Sequence, residues 1–420
     1  MALSPPGEAA NGGAIPFHRP FNGEAEEAAA LRVLRSGWLT TGKEALAFEE
    51  EFAAFLEEPR NAAGPAEKER PPPRNPPAAL RCLAVNSATS GLHLALEALG
   101  VGPGDAVFLP AYTFTATAEV VRYLGAEAVF VDLAPDSFNI DGPALEGAIT
   151  GLAKRAGGGP EWRPRAVIPV HFGGLPLDMG AILAAARRHG LGVVEDAAHA
   201  FPARIGGPDG PWAGTAGDAG VFSFYATKTI TTGEGGMVVT RREDLARRIA
   251  VMRNHGVDRP VWNRYTDANA SWYYDVIAPG YKYNMPDLLA AVGRVQLGRA
   301  LELLAARVSI AERYDRAFAG QAALILPPPG GARHLYPLRL REPERRDGLI
   351  ENLRAAGIGA SVHFIPLHLM TYYKNRYGLR AEDFPESLKR FRETLSLPLW
   401  PGMSGSQVDR VIESVLAASR

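Results

Sequence analysis

Two residues about 30 positions apart have the chemistry to hold an aldehyde cofactor. Lys228 lies in a β-rich segment that is followed by the Gly-rich turn 233–236, and Asp196 stands at the carboxyl end of the apolar segment 191–195. A lysine amine forms a Schiff base with an aldehyde, and a carboxylate keeps the pyridine nitrogen of such a cofactor protonated, so that the ring accepts electrons. The pair therefore indicates a pyridoxal phosphate site.

Each of these residues also has a purely structural interpretation. An isolated lysine between polar residues is usually a solvated charge, and an aspartate after a strand is often a turn residue or a helix cap. Open α/β sheets bind ligands beyond the carboxyl ends of their strands, and Asp196 stands at such an end. That position favours the functional interpretation, although spacing alone leaves both open.

Small hydroxyl residues between a strand and a helix indicate an anion site. Backbone amides at the start of the helix, together with the hydroxyls of Thr89 and Ser90, would bind a phosphate that the helix dipole favours. Plain N-capping explains the same residues. Ser223, five residues before Lys228, could reach the same phosphate or could simply be a polar strand residue.

Two further residues could contact the ring of a flat cofactor. Phe114 follows a strand end and could stack on the ring, although an ordinary core aromatic would have the same sequence context. His199 lies three residues beyond Asp196 and could reach the ring oxygen, and a buried histidine bonded to backbone is the alternative. No cluster of His, Cys and carboxylates has metal-ligand spacing, so we expect no metal site.

The composition is that of an ordinary soluble globular protein. The 420 residues include 45 Lys plus Arg, 46 Asp plus Glu and an apolar fraction of 46%, which argues against a nucleic-acid binder. The single Cys82 excludes an internal disulfide framework and favours a reducing compartment. No apolar run reaches membrane length, and the N-terminus lacks a signal pattern. We therefore expect a cytoplasmic protein that does not bind a membrane.

Strand and helix patterns alternate along the chain from residue 80, which predicts an α/β fold with a mostly parallel seven-stranded sheet flanked by helices. We predict a large domain at residues 15–300 and a smaller C-terminal α+β domain at 301–420, with a Pro-rich surface insertion at 59–77. The predicted strands are 82–85, 106–109, 128–131, 166–170, 191–195, 220–224 and 236–240, the last two as an antiparallel or edge pair. The predicted helices are 24–36, 43–58, 90–99, 115–124, a long stretch 285–318, 346–356 and 406–418.

Many ordered motifs between about Ile15 and Pro401 match one enzyme family. They include Ser36-Gly-Trp-Leu-Thr-Thr-Gly42, Ser87-Ala-Thr-Ser-Gly91, Glu195-Asp-Ala-Ala-His199, the segment 223–228, Asn254-His-Gly256, the segment 280–287 and Ser361-Val-His-Phe364. In these motifs the chain resembles the DegT/DnrJ/EryC1/StrS sugar aminotransferases, pyridoxal phosphate enzymes of fold type I. The resemblance implies that Lys228 is the Schiff-base lysine and that Asp196 contacts the pyridine nitrogen.

The resemblance also implies roles for the remaining cofactor residues. Thr89, Ser90 and Ser223 match phosphate contacts, Phe114 the stacking aromatic and His199 a neighbour of the ring hydroxyl. In the family, an Asn of the second subunit of a homodimer reaches the phosphate at the position of Lys282. An ammonium also holds phosphate, so Lys282 is expected to reach the neighbouring active site.

The family implies amino transfer from L-glutamate to a nucleotide-linked keto-deoxysugar, with a UDP-linked 4-keto sugar as the expected acceptor, for surface polysaccharide or glycan biosynthesis. Trp38, Thr40 and His363 are the candidates for the sugar pocket. Three alternatives stay open: a cofactor-binding regulator without turnover, a structural homodimer, and a nucleotide-sugar dehydratase of the same family. Because dehydratases of the family replace the lysine with His, Lys228 favours amino transfer.

Overall fold

A computed structural model describes residues 13–57, 78–155, 161–258 and 273–419 of the chain. The Pro-rich segment predicted as an insertion at 59–77 lies outside the described residues, as does most of the N-terminal tail. The fold begins at Ile15, which is buried and forms a bridge with Ile358 of the C-terminal region.

A seven-stranded sheet forms the centre of the larger part of the molecule. Its order is β1-β7-β6-β5-β4-β2-β3, and the ladders between β2, β3, β4, β5 and β6 are all parallel. The single reversed strand, β7, pairs antiparallel with both β6 and β1. The strands are β1 (Arg81–Val85), β2 (Asp105–Pro110), β3 (Glu127–Val131), β4 (Arg163–Val167), β5 (Gly192–Asp196), β6 (Ala219–Ser223) and β7 (Gly236–Thr240).

Helices cover both faces of this sheet, because alternate residues of each strand are apolar on opposite faces. Leu83 and Val85 of β1 pack into one core, whereas Cys82 and Ala84 pack into another. Burial on both faces is what a mostly parallel sheet requires. The helices are α1 (Glu24–Ser36), α2 (Lys43–Glu57), α3 (Ala88–Ala98), α4 (Ala116–Tyr123), α5 (Gly142–Arg155), α6 (Met179–His189), α7 (Glu243–Met252), α8 (Asp287–Gly298) and α9 (Ala300–Phe318).

A three-stranded antiparallel sheet and its own helices form the C-terminal part. The strands β8 (Leu324–Ile325), β9 (Tyr336–Leu340) and β10 (Thr394–Leu397) are arranged in the order β10-β9-β8. The helices that follow α9 are α10 (Arg346–Ala355), α11 (Thr371–Tyr377), α12 (Pro385–Glu393) and α13 (Gly405–Ala418). Leu303 of α9 packs into the core on one face of the large sheet, whereas Ile310 packs into the core of the C-terminal part. The domain boundary at residue 300 remains a prediction.

The observed elements confirm the predicted fold class, and two of the element predictions need correction. The stretch predicted as one helix over 285–318 consists of α8 and α9, because Arg299, which follows Gly298, leaves the helical conformation with φ −110° and ψ 6°. Strand β4 begins three residues earlier than predicted, and its regular ladder stops before Pro169, which has no N–H to donate. Val170 nevertheless bridges Asp196 and so reaches the edge of the sheet where β5 ends.

Candidate active site

The carboxyl ends of the parallel strands meet at one edge of the large sheet, and a cavity of about 490 Å³ opens there. Asp196 ends β5, and Ser223 ends β6 five residues before Lys228. Because β7 is reversed, its amino end and the preceding Gly235 lie at the same edge. Seven residues singled out from the sequence line this cavity: Thr89, Phe114, Asp196, His199, Ser223, Lys228 and His363.

Lys228 lies at the end of a tight turn, in which its backbone N–H donates to the carbonyl of Tyr225 at 2.9 Å. The side chain is half-buried where it faces the cavity, and protein atoms surround it elsewhere. Burial lowers the pKa of the Lys228 amine to about 8; the Asp196 carboxylate acts in the opposite direction and the Arg307 guanidinium lowers the pKa further. A substantial fraction of the amine is therefore neutral, and hence nucleophilic, near neutral pH.

The Asp196 carboxylate is buried and fixed by two hydrogen bonds. The hydroxyl of Thr117 donates to Oδ2 at 2.9 Å, and the backbone N–H of Ala198 donates to Oδ1 at 3.1 Å. Burial raises the pKa of Asp196, whereas these hydrogen bonds and the Lys228 ammonium act to lower it. A carboxylate held in this way can face a cationic ring nitrogen without rearranging.

The first turn of α3 forms one end of the cavity through Ser87, Ala88 and Thr89. Helix α3 begins at Ala88, two residues earlier than predicted, and Ser87 is its N-cap, since its side chain accepts from the Ser90 N–H at 3.1 Å. Ser90 itself is buried in this cap, where its hydroxyl donates to Asn86, and it does not line the cavity. Thr89 and Ser223 are the predicted hydroxyls that face the cavity.

Phe114 and His199 lie on the walls of the cavity. The Phe114 side chain is 56% exposed, which contradicts the alternative interpretation as a core aromatic. The Nδ1 of His199 accepts from the Gly173 N–H at 3.2 Å, which places the ring proton on Nε2. Burial holds the pKa of His199 well below its usual range, so this imidazole is neutral and can donate one hydrogen bond.

Several cavity residues were not found from the sequence. Thr117 begins a helix after a different strand from Asp196, and His334 comes from the segment before β9, more than 100 residues from Lys228. No local motif links such residues, because only the fold brings them together. The other lining residues without a prediction include Thr113, Tyr225, Thr227, Glu234 and Phe364.

Like Ser90, the predicted residues Trp38, Thr40 and Lys282 lie outside this cavity. The indole N–H of Trp38 donates to the carbonyl of Thr41 at 3.3 Å, and the carbonyl of Thr40 accepts from Asp287 at 3.3 Å. The Asp287 carboxylate in turn accepts from backbone amides at the start of α2, which fastens the 38–42 segment to α8. Lys282 is exposed, and its backbone bridges Asn254.

The residues present fit pyridoxal phosphate. The cavity volume is in the range of small-molecule sites. An amine, a buried carboxylate, an exposed aromatic face and a hydroxyl-bearing helix start surround one space. The start of α3 forms the end of the cavity that would hold the phosphate, here called the phosphate end. The backbones of β7 and α3 lie close together there, since a Cβ at Gly236 would lie 2.7 Å from the Ala88 nitrogen. A flat ring and a terminal anion are the features that this donor set complements.

A second cavity, of about 550 Å³, lies beside the edge strand β3 and is bordered by α5 and the segment around α12. No predicted site residue lines it, and its charged side chains Glu127, Asp132, Arg376 and Asp383 already contact neighbouring groups. The chemistry described above is confined to the first cavity. Among the helices of the described ranges, none has the length and apolarity needed to cross a membrane.

Similarity to known proteins agrees with this geometry. The sequence profile of the DegT/DnrJ/EryC1/StrS aminotransferase family matches residues 20–64 and 78–416. The chain is 42% identical over 413 residues to the spore coat polysaccharide biosynthesis protein SpsC of Bacillus subtilis, and the alignment covers 96% of each chain.

Two solved structures are similar over nearly the whole chain. Spr1654 of Streptococcus pneumoniae in its PLP form, named as a sugar aminotransferase, is 32% identical with a TM-score of 0.81 and coverage of 97% of this chain and 98% of that one. The aminotransferase TlmJ of Streptoalloteichus hindustanus is 34% identical with a TM-score of 0.80 and coverage of 97% and 99%. The chain therefore belongs to the DegT/DnrJ/EryC1/StrS aminotransferase family and is a pyridoxal phosphate-dependent aminotransferase.

Proposed function

We propose that the protein transfers the amino group of L-glutamate to a nucleotide-linked keto-deoxysugar, with Lys228 and Asp196 as its catalytic residues. The observation that carries the proposal is that a lysine amine and a buried carboxylate share one cavity and influence each other's pKa. When bound, pyridoxal phosphate supplies a ring that accepts electrons from the donor carbon. The side chains of the protein then bind, orient and move protons.

Each residue has a distinct part in this proposal. Lys228 would hold the cofactor through its amine, and the free amine would carry a proton during the transfer. Asp196 stabilises the protonated ring nitrogen, and Phe114 stacks on the ring. Thr89 and Ser223 would contact the phosphate, Ser90 supports them by fixing the start of α3, and His199 would donate to the ring hydroxyl.

The cavity lining offers hydrogen-bonding groups for a polar substrate. The imidazoles of His199, His334 and His363 are neutral near pH 7, because burial lowers the pKa of each, and they line the cavity together with Lys228, Asp196 and Glu234. Glutamate and a nucleotide-linked sugar both carry oxygens that such groups can bind. The names of SpsC and Spr1654 support a sugar acceptor and a role in surface polysaccharide or glycan biosynthesis, and a UDP-linked 4-keto sugar is the specific acceptor that we propose.

Among the proposed sugar-binding residues, His363 has direct structural support. It lines the cavity, and its Nδ1 lies 3.0 Å from the hydroxyl of Ser396, which leaves Nε2 for a ligand. Trp38 and Thr40 lie outside the cavity of their own chain. Their contact with the sugar therefore requires a substrate that extends beyond the cavity or a second subunit.

We also propose that the protein is a cytoplasmic homodimer in which Lys282 reaches the phosphate of the neighbouring site. Exposure of Lys282 is consistent with this role. Nearby, Tyr273, Tyr274, Val276 and Ile277 present an exposed apolar surface that a second subunit could cover. A cytoplasmic location is supported by the buried free thiol of Cys82, which fits a reducing compartment.

One experiment separates the proposed activity from its alternatives. The purified protein with bound cofactor is reduced with borohydride and mapped by mass spectrometry, and the cofactor adduct is expected on Lys228. L-glutamate is then added to unreduced protein, and its visible absorption should disappear. Coloured protein that ignores glutamate and every other amino donor would indicate a regulator, and protein that takes up no cofactor would indicate a structural dimer.

A panel of 4-keto sugars linked to UDP, dTDP or GDP then identifies the acceptor. Amination of the UDP-linked sugar, detected by mass spectrometry as a product in which an amino group and a hydrogen replace the keto oxygen, is the expected result. Loss of oxygen from the sugar without amino transfer would instead show the dehydratase reaction. Selective amination of a dTDP- or GDP-linked sugar would overturn the proposed UDP specificity while leaving amino transfer intact.

A further inference from the structure

An arginine without a carboxylate partner is buried behind the turn at residues 225–228, here called the lysine turn because it carries Lys228. Arg307 of α9 is fully buried, and its guanidinium donates only to backbone carbonyls: those of Leu399 at 2.8 Å, His334 at 3.3 Å and Thr227 at 3.5 Å. No carboxylate in the described part of the chain forms an ion pair with it. Burial lowers the pKa of Arg307 to about 10, so the group remains a cation at neutral pH.

A buried and uncompensated charge is costly, and it persists in a fold only where something else requires it. Arg307 does not line the cavity, so it does not bind substrate directly. Its contacts instead join three separate segments: the lysine turn, the segment before β9 and the segment after β10. The lysine turn is the one of these that carries chemistry.

Remote side chains hold both carbonyls that precede Lys228. Arg307 donates to the carbonyl of Thr227, and the Nε2 of His18 donates to the carbonyl of Ala226 at 2.9 Å. The N–H of Lys228 itself closes the turn onto Tyr225. Three hydrogen bonds therefore fix the backbone from which the lysine side chain projects.

The charge of Arg307 also acts on the lysine amine. Burial is the main cause that lowers the pKa of Lys228; Asp196 from the end of β5 raises this pKa, and Arg307 from α9 lowers it further. The imidazoles around the amine are neutral near pH 7, because burial lowers their pKa, to about 3 for His18 and about 4 for His363. The groups that face Lys228 from the other packed elements are thus His18, His199, His334 and His363, all neutral, and Glu234 at the exposed rim.

We propose that Arg307 is a positioning residue for Lys228: it fixes the turn that carries the lysine and places a positive charge that favours the neutral amine. The inference rests on the proposed role of Lys228 in bonding the cofactor. Asp196 alone would favour a protonated lysine, which cannot attack an aldehyde. Arg307 offsets that effect from the opposite side while leaving Asp196 free to face the ring nitrogen.

The test compares cofactor-bound protein with three single variants. Arg307→Met removes the charge at similar length, and Arg307→Lys keeps a cation but loses the planar set of donors. Arg313→Met changes a half-buried arginine of the same helix that pairs with Asp409. Two quantities are measured: the pH at which the visible absorption of the bound cofactor changes as the linking nitrogen loses its proton, and the rate of cofactor bond formation at Lys228, trapped by borohydride.

Removing a nearby cation stabilises the protonated form, so the absorption transition of Arg307→Met should move upward by about one pH unit. Arg307→Lys should keep the wild-type transition but form the bond about tenfold more slowly, because the turn is less well fixed. Arg313→Met should match the wild type in both measurements.

A wild-type transition in folded Arg307→Met would overturn the role of the charge, and a wild-type rate in Arg307→Lys would overturn the positioning role. If Arg307→Met does not fold, Arg307→Lys tests both roles. An absorption transition that moves by a full pH unit in Arg307→Lys, which retains the cation, would contradict the role of the charge, and a wild-type rate of bond formation would contradict the positioning role. Failure of the wild type itself to label at Lys228 would instead refute the proposed function.

Discussion

At the scale of single residues, burial decides which protonation state of Lys228 is available. Its pKa of about 8 lies well below that of an exposed lysine. The neutral fraction rises as the pH increases through this value. We therefore expect the rate of pyridoxal phosphate uptake by the cofactor-free protein to rise about tenfold per pH unit below pH 8 and to level off above it.

Stopped-flow absorbance at a series of pH values measures this profile. An exposed lysine in a short peptide, treated in the same way, serves as the reference and should show its inflection at a higher pH. An inflection of the protein near pH 10 would show that the amine is not in the environment described here.

A second prediction at this scale concerns the Asp196 carboxylate. Asp196→Asn keeps the size of the side chain and an oxygen for Thr117, but it loses the negative charge that stabilises a protonated ring nitrogen. We expect the cofactor still to bind while the single-turnover reaction with glutamate slows by about 100-fold or more. The decay of the visible absorption after mixing measures the rate.

Asp105→Asn is the matched control for this prediction. Asp105 is a buried carboxylate of the same sheet, at the amino end of β2, where it pairs with Arg163. Its variant should react with glutamate at the wild-type rate. Equal rates for Asp196→Asn and the wild type would remove the electrostatic role of Asp196.

Residue types and spacing predicted seven of the residues that line the cavity but not its supporting contacts. Lys228, Asp196 and Phe114 were found because each stands just beyond a strand end, where the chain direction alone places a side chain at the ligand edge. Thr117 and Arg307 were not found, because their significance depends on which remote backbone or carboxylate they meet. Ser90 shows the opposite case, since the capping alternative describes its observed contacts.

At the scale of elements, the approach of β7 to the start of α3 shapes the phosphate end of the cavity. A Cβ at Gly236 would lie 2.7 Å from the Ala88 nitrogen and 2.7 Å from the Ser87 carbonyl carbon, and backbone atoms cannot yield as a flexible side chain does. We expect Gly236→Ala to separate the two elements, to weaken cofactor affinity about tenfold and to cost about 1–3 kcal/mol of unfolding free energy.

Absorbance titration and urea unfolding measure the two effects. Gly348→Ala is the control, because no atom lies within 4 Å of a Cβ at that position of α10, and it should leave cofactor affinity unchanged. If Gly236→Ala binds the cofactor as tightly as the wild type, the approach of these elements is not what forms the phosphate site.

Element predictions succeeded where the apolar pattern followed the backbone and failed where the pattern and the backbone diverged. The strands of the large sheet are apolar on both faces and were found within a few residues. The break between α8 and α9 was missed, because the apolar pattern continues through Arg299 while the backbone does not. Helices α11 and α12 are short and mostly polar, so their positions depend on packing that no local pattern records.

At the scale of the whole molecule, the proposed dimer predicts that two impaired variants recover activity when they are mixed. Lys228→Ala and Lys282→Ala should each be inactive or strongly impaired alone, the second because phosphate affinity falls. If Lys282 serves the neighbouring site, a mixed dimer contains one intact site. Equal mixtures after subunit exchange should therefore recover about a quarter of the wild-type activity.

Sedimentation before and after mixing verifies that subunits have exchanged. A mixture of Lys228→Ala with wild-type protein controls for simple dilution of active subunits. Complete exchange without any recovery would show that Lys282 acts within its own chain or not at all. The single chain suggested this arrangement only through family resemblance, since contacts between subunits leave no periodic signal in one sequence.

The reversed strand β7 has a consequence for how the protein is made. Within the described sheet, β1 has β7 as its only neighbouring strand. Val85 can therefore pair with Gly236 only after another 151 residues have been synthesised. At ribosomal speeds of about 5–20 residues per second, that interval lasts about 8–30 s. During translation, the start of α3 is therefore synthesised well before the strand that completes the phosphate end of the cavity. The cofactor can stabilise this part of the fold only after β7 has left the ribosome.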